Sequence, residues 1–326
     1  MTGTHGEHGT EAVRGAVRVV RGGEVVVERA RGPAGEGRDC RPESVFQVAS
    51  VSKQFAAASA LLLAEDGYLS LHDPVRRWFP SWPRQWSRVT VHHLLTHTSG
   101  VGHWGDLWPS WENRLPSREE LLATVAAAPP TEAPLPRPFR YSSPGFVVLA
   151  AVLERAGGAP YRELVAERIF RPLRMQSTSA GQESGEDVAE GRHNGEAAPS
   201  VQDLTDLVGT GDVRSTVGDL SRFGEALHDG ALLDRFSLDA MFEPHAAVGD
   251  GDGDVRAVGY GYGCFLGTVA GHPARFHTGD NPGYRSFLGR LPELDATVVV
   301  LSNEETADVN RLAASLVRTA FGPGPG

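Results

Sequence analysis

The chain has 326 residues, 40 % of them hydrophobic and 22 % charged, which describes a globular protein with room for one large domain or two intimate ones. Its formal net charge is −10 and it carries no lysine/arginine run, so nucleic acid and anionic membrane are excluded as expected partners. No apolar run reaches the length of a membrane span, and Met1 to His8 has neither a basic n-region nor an apolar stretch, so a cytoplasmic location is the expectation.

Residues 1–11 read as disordered. Two β-rich runs at 16–20 and 24–28 flank Gly22-Gly23, the pattern of a hairpin. After a Gly/Pro-rich loop, Phe46-Gln47-Val48-Ala49 leads into a helix expected from Ser50 to Asp66. Its body, residues 55–64, is apolar nearly all round, which predicts a buried central helix, and Gly67 supplies the stop. Residues 74–210 alternate short helical patterns with Pro-rich loops; 89–95 and 146–156 are two of those helices. The polar, acidic, Gly-rich stretch 177–200 reads as a surface loop. A helix follows at 217–228. The chain then turns strongly β, with runs at 260–265, 274–277, 285–291 and 296–301, before a terminal helix over 308–321. Strands at both ends around a helical middle predict an α/β (α+β) fold. One antiparallel sheet is expected from residues 1–85 and 210–326, with a helical subdomain over 86–209 and a cleft between them. Two cysteines, Cys40 and Cys264, suit a reducing compartment, and neither has a motif partner for metal.

Lys53 is the only lysine, and it stands three residues after Ser50 in Ser50-Val51-Ser52-Lys53. A guanidinium keeps its proton in a protein, whereas an ammonium loses it where the surroundings disfavour charge. The position that retains lysine is therefore one where a neutral amine has a use. An amine beside a serine hydroxyl can activate it as a nucleophile. With Ser50 in the first turn of the buried helix, residues three apart share a face and the amine reaches the hydroxyl. The positive end of the helix and burial both push the amine toward its neutral form. First-turn N–H groups, lacking intrahelical partners, can donate to a developing oxyanion. The plainer reading is a lone lysine beside a common residue type, and the spacing alone leaves the two level.

Two further motifs change that balance. Ala49-Ser50-Val51-Ser52-Lys53-Gln54-Phe55, then Tyr141-Ser142-Ser143, then His277-Thr278-Gly279-Asp280 resemble the serine β-lactamase and penicillin-binding-protein superfamily. Within it the chain looks closest to the branch of class C-like β-lactamases, esterases and D-amino-acid-specific peptidases. Leu94-Leu95-Thr96-His97-Thr98-Ser99-Gly100 and Pro282-Gly283-Tyr284 support the match, whose order and spacing run from residue 46 to about 303. The resemblance implies a β-lactamase-like fold and a serine hydrolase that forms an acyl-enzyme on Ser50 with Lys53 as general base. It implies that Tyr141 shuttles a proton to the leaving group and helps to activate the deacylating water. That role requires positive charge from Lys53 and His277 to lower the phenol pKa. Ser143 is expected to bond Lys53 or a substrate amide. His277, Thr278 and Gly279 would edge the cleft, and the backbone N–H groups of Ser50 and Asp280 would form the oxyanion hole. No metal or cofactor is implied.

Two departures bear on substrate. Ser143 stands where the family also has asparagine, and it offers one donor rather than two. His277 stands where penicillin-binding proteins have the lysine of K-T-G. A histidine is mostly neutral at pH 7 unless a partner raises its pKa, so a substrate carboxylate is less well served. The expected substrate is an ester or amide of a small or D-configured acyl group, with weak β-lactam turnover compatible, acted on by a monomer or homodimer. An acyltransferase or peptide cyclase on the same scaffold is one rival reading; a non-catalytic β-lactam sensor or structural homologue is another.

Plainer roles stand beside the chemical ones. Tyr141 reads equally as a rim aromatic, Ser143-Pro144 as a helix N-cap, and His277 as a strand-edge histidine. His92, His93, His97 and His103 lack an H-E-x-x-H pattern and are taken as structural, with His97 expected to bond backbone within the Thr96-His97-Thr98-Ser99 turn. Asp250, Asp252 and Asp254 begin like a calcium loop, but the twelfth position is Gly261, so calcium is not expected. Trp104, Trp108 and Trp111 are candidate walls of an apolar acyl pocket. There is no G-x-S-x-G elbow, dinucleotide fingerprint or P-loop.

Overall fold

The computed structural model describes residues 14–108, 116–128, 135–181, 188–198, 206–249 and 253–324. Trp111, Asp250, Asp252 and the disorder expected of residues 1–11 lie outside them.

Both ends of the chain contribute to one eight-stranded antiparallel sheet. Its strands are β1 (Gly15–Arg21), β2 (Glu24–Arg31), β3 (Ala246–Ala247), β4 (Val255–Tyr260), β5 (Phe265–Val269), β6 (His272–Asn281), β7 (Tyr284–Leu291) and β8 (Ala296–Ser302). Their spatial order is β3-β4-β5-β6-β7-β8-β1-β2. The N-terminal hairpin turns at Gly22 and Gly23, both at positive φ as its tight turn requires. It joins the sheet through β1 against β8, with Ala16 opposite Leu301. The apolar run in β8 is continuous because both faces are covered. Val298 and Val300 face one core with α5 (Val309–Phe321), while Val299 and Leu301 face the larger core on the other side.

That larger core holds α1 (Ser52–Glu65), whose residues are buried from Ser52 to Leu61. It ends as expected: Gly67, at φ +75, donates its N–H to Ala64 O at 3.0 Å. Its start differs from the expectation. Residues Ala49–Val51 form a 3-10 turn, so Ser50 precedes the α-helix instead of opening it. Around α1 lie α2 (Val91–Leu95), α3 (Ser143–Gly157) and α4 (Val217–Asp229). The second of the expected middle helices begins three residues early because Ser142 caps it, accepting from Gly145 N at 3.0 Å, and Pro144 sits in its first turn. The first is shorter than expected. Val89 O is held by Val75 N at 2.8 Å and Thr90 is extended, so the helix begins only at Val91, under a Thr90–His93 capping box.

Within 177–200, read as loop, the described residues contain short strands. Ser179–Ala180 pairs with Val213–Ser215, and Arg192–His193 pairs with Glu196–Ala197 across an Asn194-Gly195 turn. Cys40 and Cys264 are both free and buried. No helix among the described residues is long and apolar enough to cross a membrane.

Candidate active site

Ser50 occupies the middle of the 3-10 turn. Just before it, Ala49 takes φ +47, a left-handed conformation that costs a non-glycine residue about 1–3 kcal/mol and persists only where packing enforces it. The enforcing contact is β6. Ser286 Oγ on β7 donates to Val48 O at 2.6 Å, and a Cβ added at Gly279 would lie 2.3 Å from the same oxygen. Glycine at 279 is what lets the sheet seat directly on the Ser50 turn. The β5–β6 pairing stops at Phe265 opposite Phe276, so residues 277–281 pair within the sheet with β7. Asp280 follows Gly279 on this segment, and its exposed carboxylate pairs with Arg285.

One turn into the chain from Ser50, Lys53 is fully buried. Its Nζ lies 2.9 Å from Ser50 Oγ, 3.2 Å from Ser143 Oγ and 3.1 Å from Thr210 O. Burial holds its pKa well below the ordinary lysine value, with Asp212 opposing. Asp212 is itself buried, and burial pushes its carboxyl up to about 7. Oδ1 accepts from Gly209 N at 3.0 Å, while Oδ2 has no hydrogen-bond partner among the described residues.

Tyr141 hydrogen-bonds the Ser50 and Ser143 hydroxyls. Lys53 Nζ stands 4.8 Å from its ring centre, and His97 packs on the ring at 4.5 Å. The expectation of a lowered phenol pKa is overturned. Burial raises it above the ordinary tyrosine value, and the hydrogen bonds only partly offset this. The physical reason is burial, which disfavours a phenolate, and the negative charge of Asp280 adds to it. Ser143 is the first residue of α3 but not its cap. Ser142 takes that role, which leaves the Ser143 hydroxyl to Lys53.

His277 is buried, with Nδ1 2.6 Å from Thr278 O and Nε2 3.2 Å from Tyr260 OH. Burial first, and Lys53 second, lower its pKa to about 3, so it is neutral at pH 7. His97 does not bond within its own turn. At φ +57 it reaches across to accept from Ser142 N through Nδ1 at 3.1 Å, and its Nε2 lies 3.2 Å from the same Tyr260 hydroxyl. The other histidines have separate partners: His92 with Tyr262, His93 with Thr90, and His103 with Ser143 N. Trp104 is buried in the larger core.

A family model described as Beta-lactamase matches residues 7–320. The chain belongs to the beta-lactamase family. Penicillin-binding protein 4* of Bacillus subtilis (strain 168) is 29 % identical to it over 324 residues, covering 89 % of this chain and 68 % of that one. Esterase EstB of Burkholderia gladioli is 36 % identical over 204 residues, 57 % of this chain and 52 % of its own. The solved structure of D-amino acid amidase from Ochrobactrum anthropi SV3 complexed with L-phenylalanine superposes with a TM-score of 0.81 at 26 % identity. That match covers 95 % of this chain and 93 % of the other. The fold is β-lactamase-like, and the family relatives include a penicillin-binding protein and an esterase.

The structure brings Ser50, Lys53, Tyr141, Ser143 and His277 into one cluster, with Gly279 and Asp280 on the strand that seats against it. Sequence reasoning missed Thr210, Asp212 and Tyr260, and gave His97 too local a role. Asp212 had one faint signal, an acid between two glycine-spaced turns and the apolar start of a strand. Tyr260 had none beyond its place in a Gly/Tyr run.

Proposed function

We propose that this protein is a serine hydrolase that forms an acyl-enzyme on Ser50 from an ester or amide whose acyl group is small or D-configured. The observation that carries this reading is the 2.9 Å approach of Lys53 Nζ to Ser50 Oγ inside a site where the amine is shielded from water. A neutral amine has two N–H donors and one lone pair. Thr210 O accepts one N–H and Ser143 Oγ the other, so the lone pair faces the Ser50 hydroxyl and takes its proton as Oγ attacks the carbonyl.

The oxyanion would form between the Ser50 and Asp280 amides on the turn and the strand edge that Gly279 holds together. Tyr141, protonated at rest, gives its proton to the leaving group. It is reprotonated from Lys53 through Ser143, whose hydroxyl touches both. Water then attacks the acyl carbonyl, giving its proton to Lys53, neutral again, and Lys53 returns that proton to Ser50 Oγ as the acyl–oxygen bond breaks and the acid leaves. Neutral His277 supplies no cation at the place where a K-T-G lysine would hold a carboxylate, which favours acyl groups without one.

The test is a fluorophosphonate probe with mass spectrometry, followed by p-nitrophenyl esters, D-amino acid amides and a fluorescent penicillin. A covalent adduct on Ser50 together with ester or amide turnover is expected. No adduct on Ser50 with any probe would falsify the reading. Labelling without turnover would point to a sensor, and an added amine outcompeting water to an acyltransferase.

A further inference from the structure

His97, Tyr260 and His277 come from three separated parts of the chain and form one hydrogen-bonded chain whose direction is set at both ends by backbone groups. Ser142 N–H can only donate, so His97 Nδ1 is an acceptor and the proton of the neutral ring sits on Nε2. Thr278 O can only accept, so His277 Nδ1 carries its proton and Nε2 presents a lone pair. Between them, 3.2 Å from each, the Tyr260 oxygen accepts from His97 Nε2–H and its O–H donates to His277 Nε2. Every donor in the series has one acceptor. A second proton on either ring would point N–H at another donor. All three side chains are buried, at 1 % exposure or less, so water cannot absorb such a mismatch. Burial is also the first cause of the lowered pKa of both imidazoles.

The series has consequences at both ends. His277 shares its face of β6 with Gly279, which seats on the Ser50 turn, and with Asn281, which bonds Gln47. At the other end His97 holds the amide of Ser142, the cap of the helix that delivers Ser143 to Lys53. We propose that His97 and Tyr260 are positioning residues that lock His277 into one neutral tautomer, and that this lock is what makes the site discriminate against acyl substrates bearing a free carboxylate. The tautomer part stands on geometry alone; the substrate part rests on the hydrolase reading above.

The experiment has two arms. In the first, long-range proton–nitrogen NMR is recorded at pH 7 on histidine-labelled Ser50→Ala protein, with resonances assigned by single His→Gln variants. The expected result is His277 protonated on Nδ1 alone and His97 on Nε2 alone. His277 protonated on Nε2, or doubly protonated, overturns the lock. In the second arm, kcat/KM is measured for p-nitrophenyl butyrate and mono-p-nitrophenyl succinate on the native protein and on Tyr260→Phe, with circular dichroism confirming the fold. Losing the hydroxyl removes the donor that fills the His277 Nε2 lone pair, so the ring can gain a proton there while Nδ1–H stays on Thr278 O. The butyrate-to-succinate ratio is then expected to fall about fivefold. A merely structural role would lower both substrates together, so an unchanged ratio overturns the proposed discrimination. A native protein that shows both tautomers yet hydrolyses neither these esters nor a D-amino acid amide sinks the hydrolase reading and leaves the lock standing.

Discussion

Lys53 Nζ stands 2.9 Å from Ser50 Oγ on a side chain that water does not reach. The pairing sets reactivity against stability. In the unfolded chain a lysine keeps its proton up to about pH 10.4, whereas in the fold burial drives the proton off at lower pH. Between those two values the unfolded state binds more protons, so this residue makes stability rise with pH and weakens the fold at neutral pH.

Lys53→Arg and Lys53→Met separate the two effects. Both remove the base, and each is expected to lower kcat/KM by about 10²–10⁴-fold. Arginine retains a buried charge that cannot be shed, so its urea midpoint at pH 7 falls. Methionine fills similar volume without a charge, and its midpoint rises above that of the native protein. A mild activity loss in Lys53→Arg would contradict the role given to the amine.

Asp212→Asn tests the carboxyl behind Lys53. Its pKa is raised in the fold to about 7, so between the unfolded value near 4 and 7 the unfolded state sheds a proton that the fold retains. Stability from this group is present below pH 4, is lost as pH rises to about 7, and is then flat. Asparagine can still accept from Gly209 N but carries no charge. The variant should match the native protein at pH 4 and exceed it at pH 8 by on the order of a few kcal/mol, read from urea titrations at both pH values. Asp212 also opposes the lowering of the Lys53 pKa. Its removal should therefore move the acid limb of kcat/KM to lower pH, and a shift in the opposite direction would refute the coupling.

Much of this arrangement is legible in the sequence itself. The sheet announced itself through glycine-punctuated β runs such as those around Gly22-Gly23, and the cluster through a unique lysine and three ordered motifs. What escaped has physical reasons. Nothing about alanine announces the positive φ at Ala49, which is imposed by β6 from 230 residues away. Thr210 reaches Lys53 across 157 positions and Tyr260 reaches His97 across 163, whereas spacing rules extend only a turn or two. The raised Tyr141 pKa follows from burial, which no local pattern encodes. The Asn194-Gly195 hairpin was in plain view, but its two-residue strands are too short to show a period.

Ser142 and Ser143 are neighbours with separable duties. Ser142→Ala removes a helix cap and should cost about 1 kcal/mol of stability, read from thermal melts. Ser143→Ala leaves the cap in place and should melt near the native temperature. It breaks the link between Lys53 and Tyr141, so kcat is expected to fall more than in the Ser142 variant. Equal activity in the two variants would remove Ser143 from the proposed proton relay.

His277→Lys restores a cation at the cleft edge. The new ammonium would lose the tautomer-matched partners Tyr260 and Thr278 and gain a use only with an anionic ligand. Ester hydrolysis is expected to fall, while acylation of Ser50 by a fluorescent penicillin, which carries a carboxylate, speeds up. Unchanged selectivity between the two probes would mean that charge at this position does not choose the substrate.

Gly279→Ala probes the seat of the sheet on the Ser50 turn. Its Cβ would lie 2.2 Å from Ser286 Oγ and 2.3 Å from Val48 O, both far inside contact distance. The Ser286 hydroxyl can rotate away only by giving up its 2.6 Å bond to that same carbonyl. Val48 O is backbone and cannot rotate, so the turn carrying Ser50 must back away from β6. Overpacking of this kind costs about 1–3 kcal/mol, which a melt would show. The activity loss should be larger than that cost implies, because the Ser50 and Asp280 amides move apart while Lys53 stays with α1. Ser286→Ala is the control: it removes the hydroxyl bond without pushing the turn, and it should keep most of its kcat/KM. If a folded Gly279→Ala protein hydrolyses esters at the native rate, the contact between strand edge and turn holds the fold together but has no part in the chemistry.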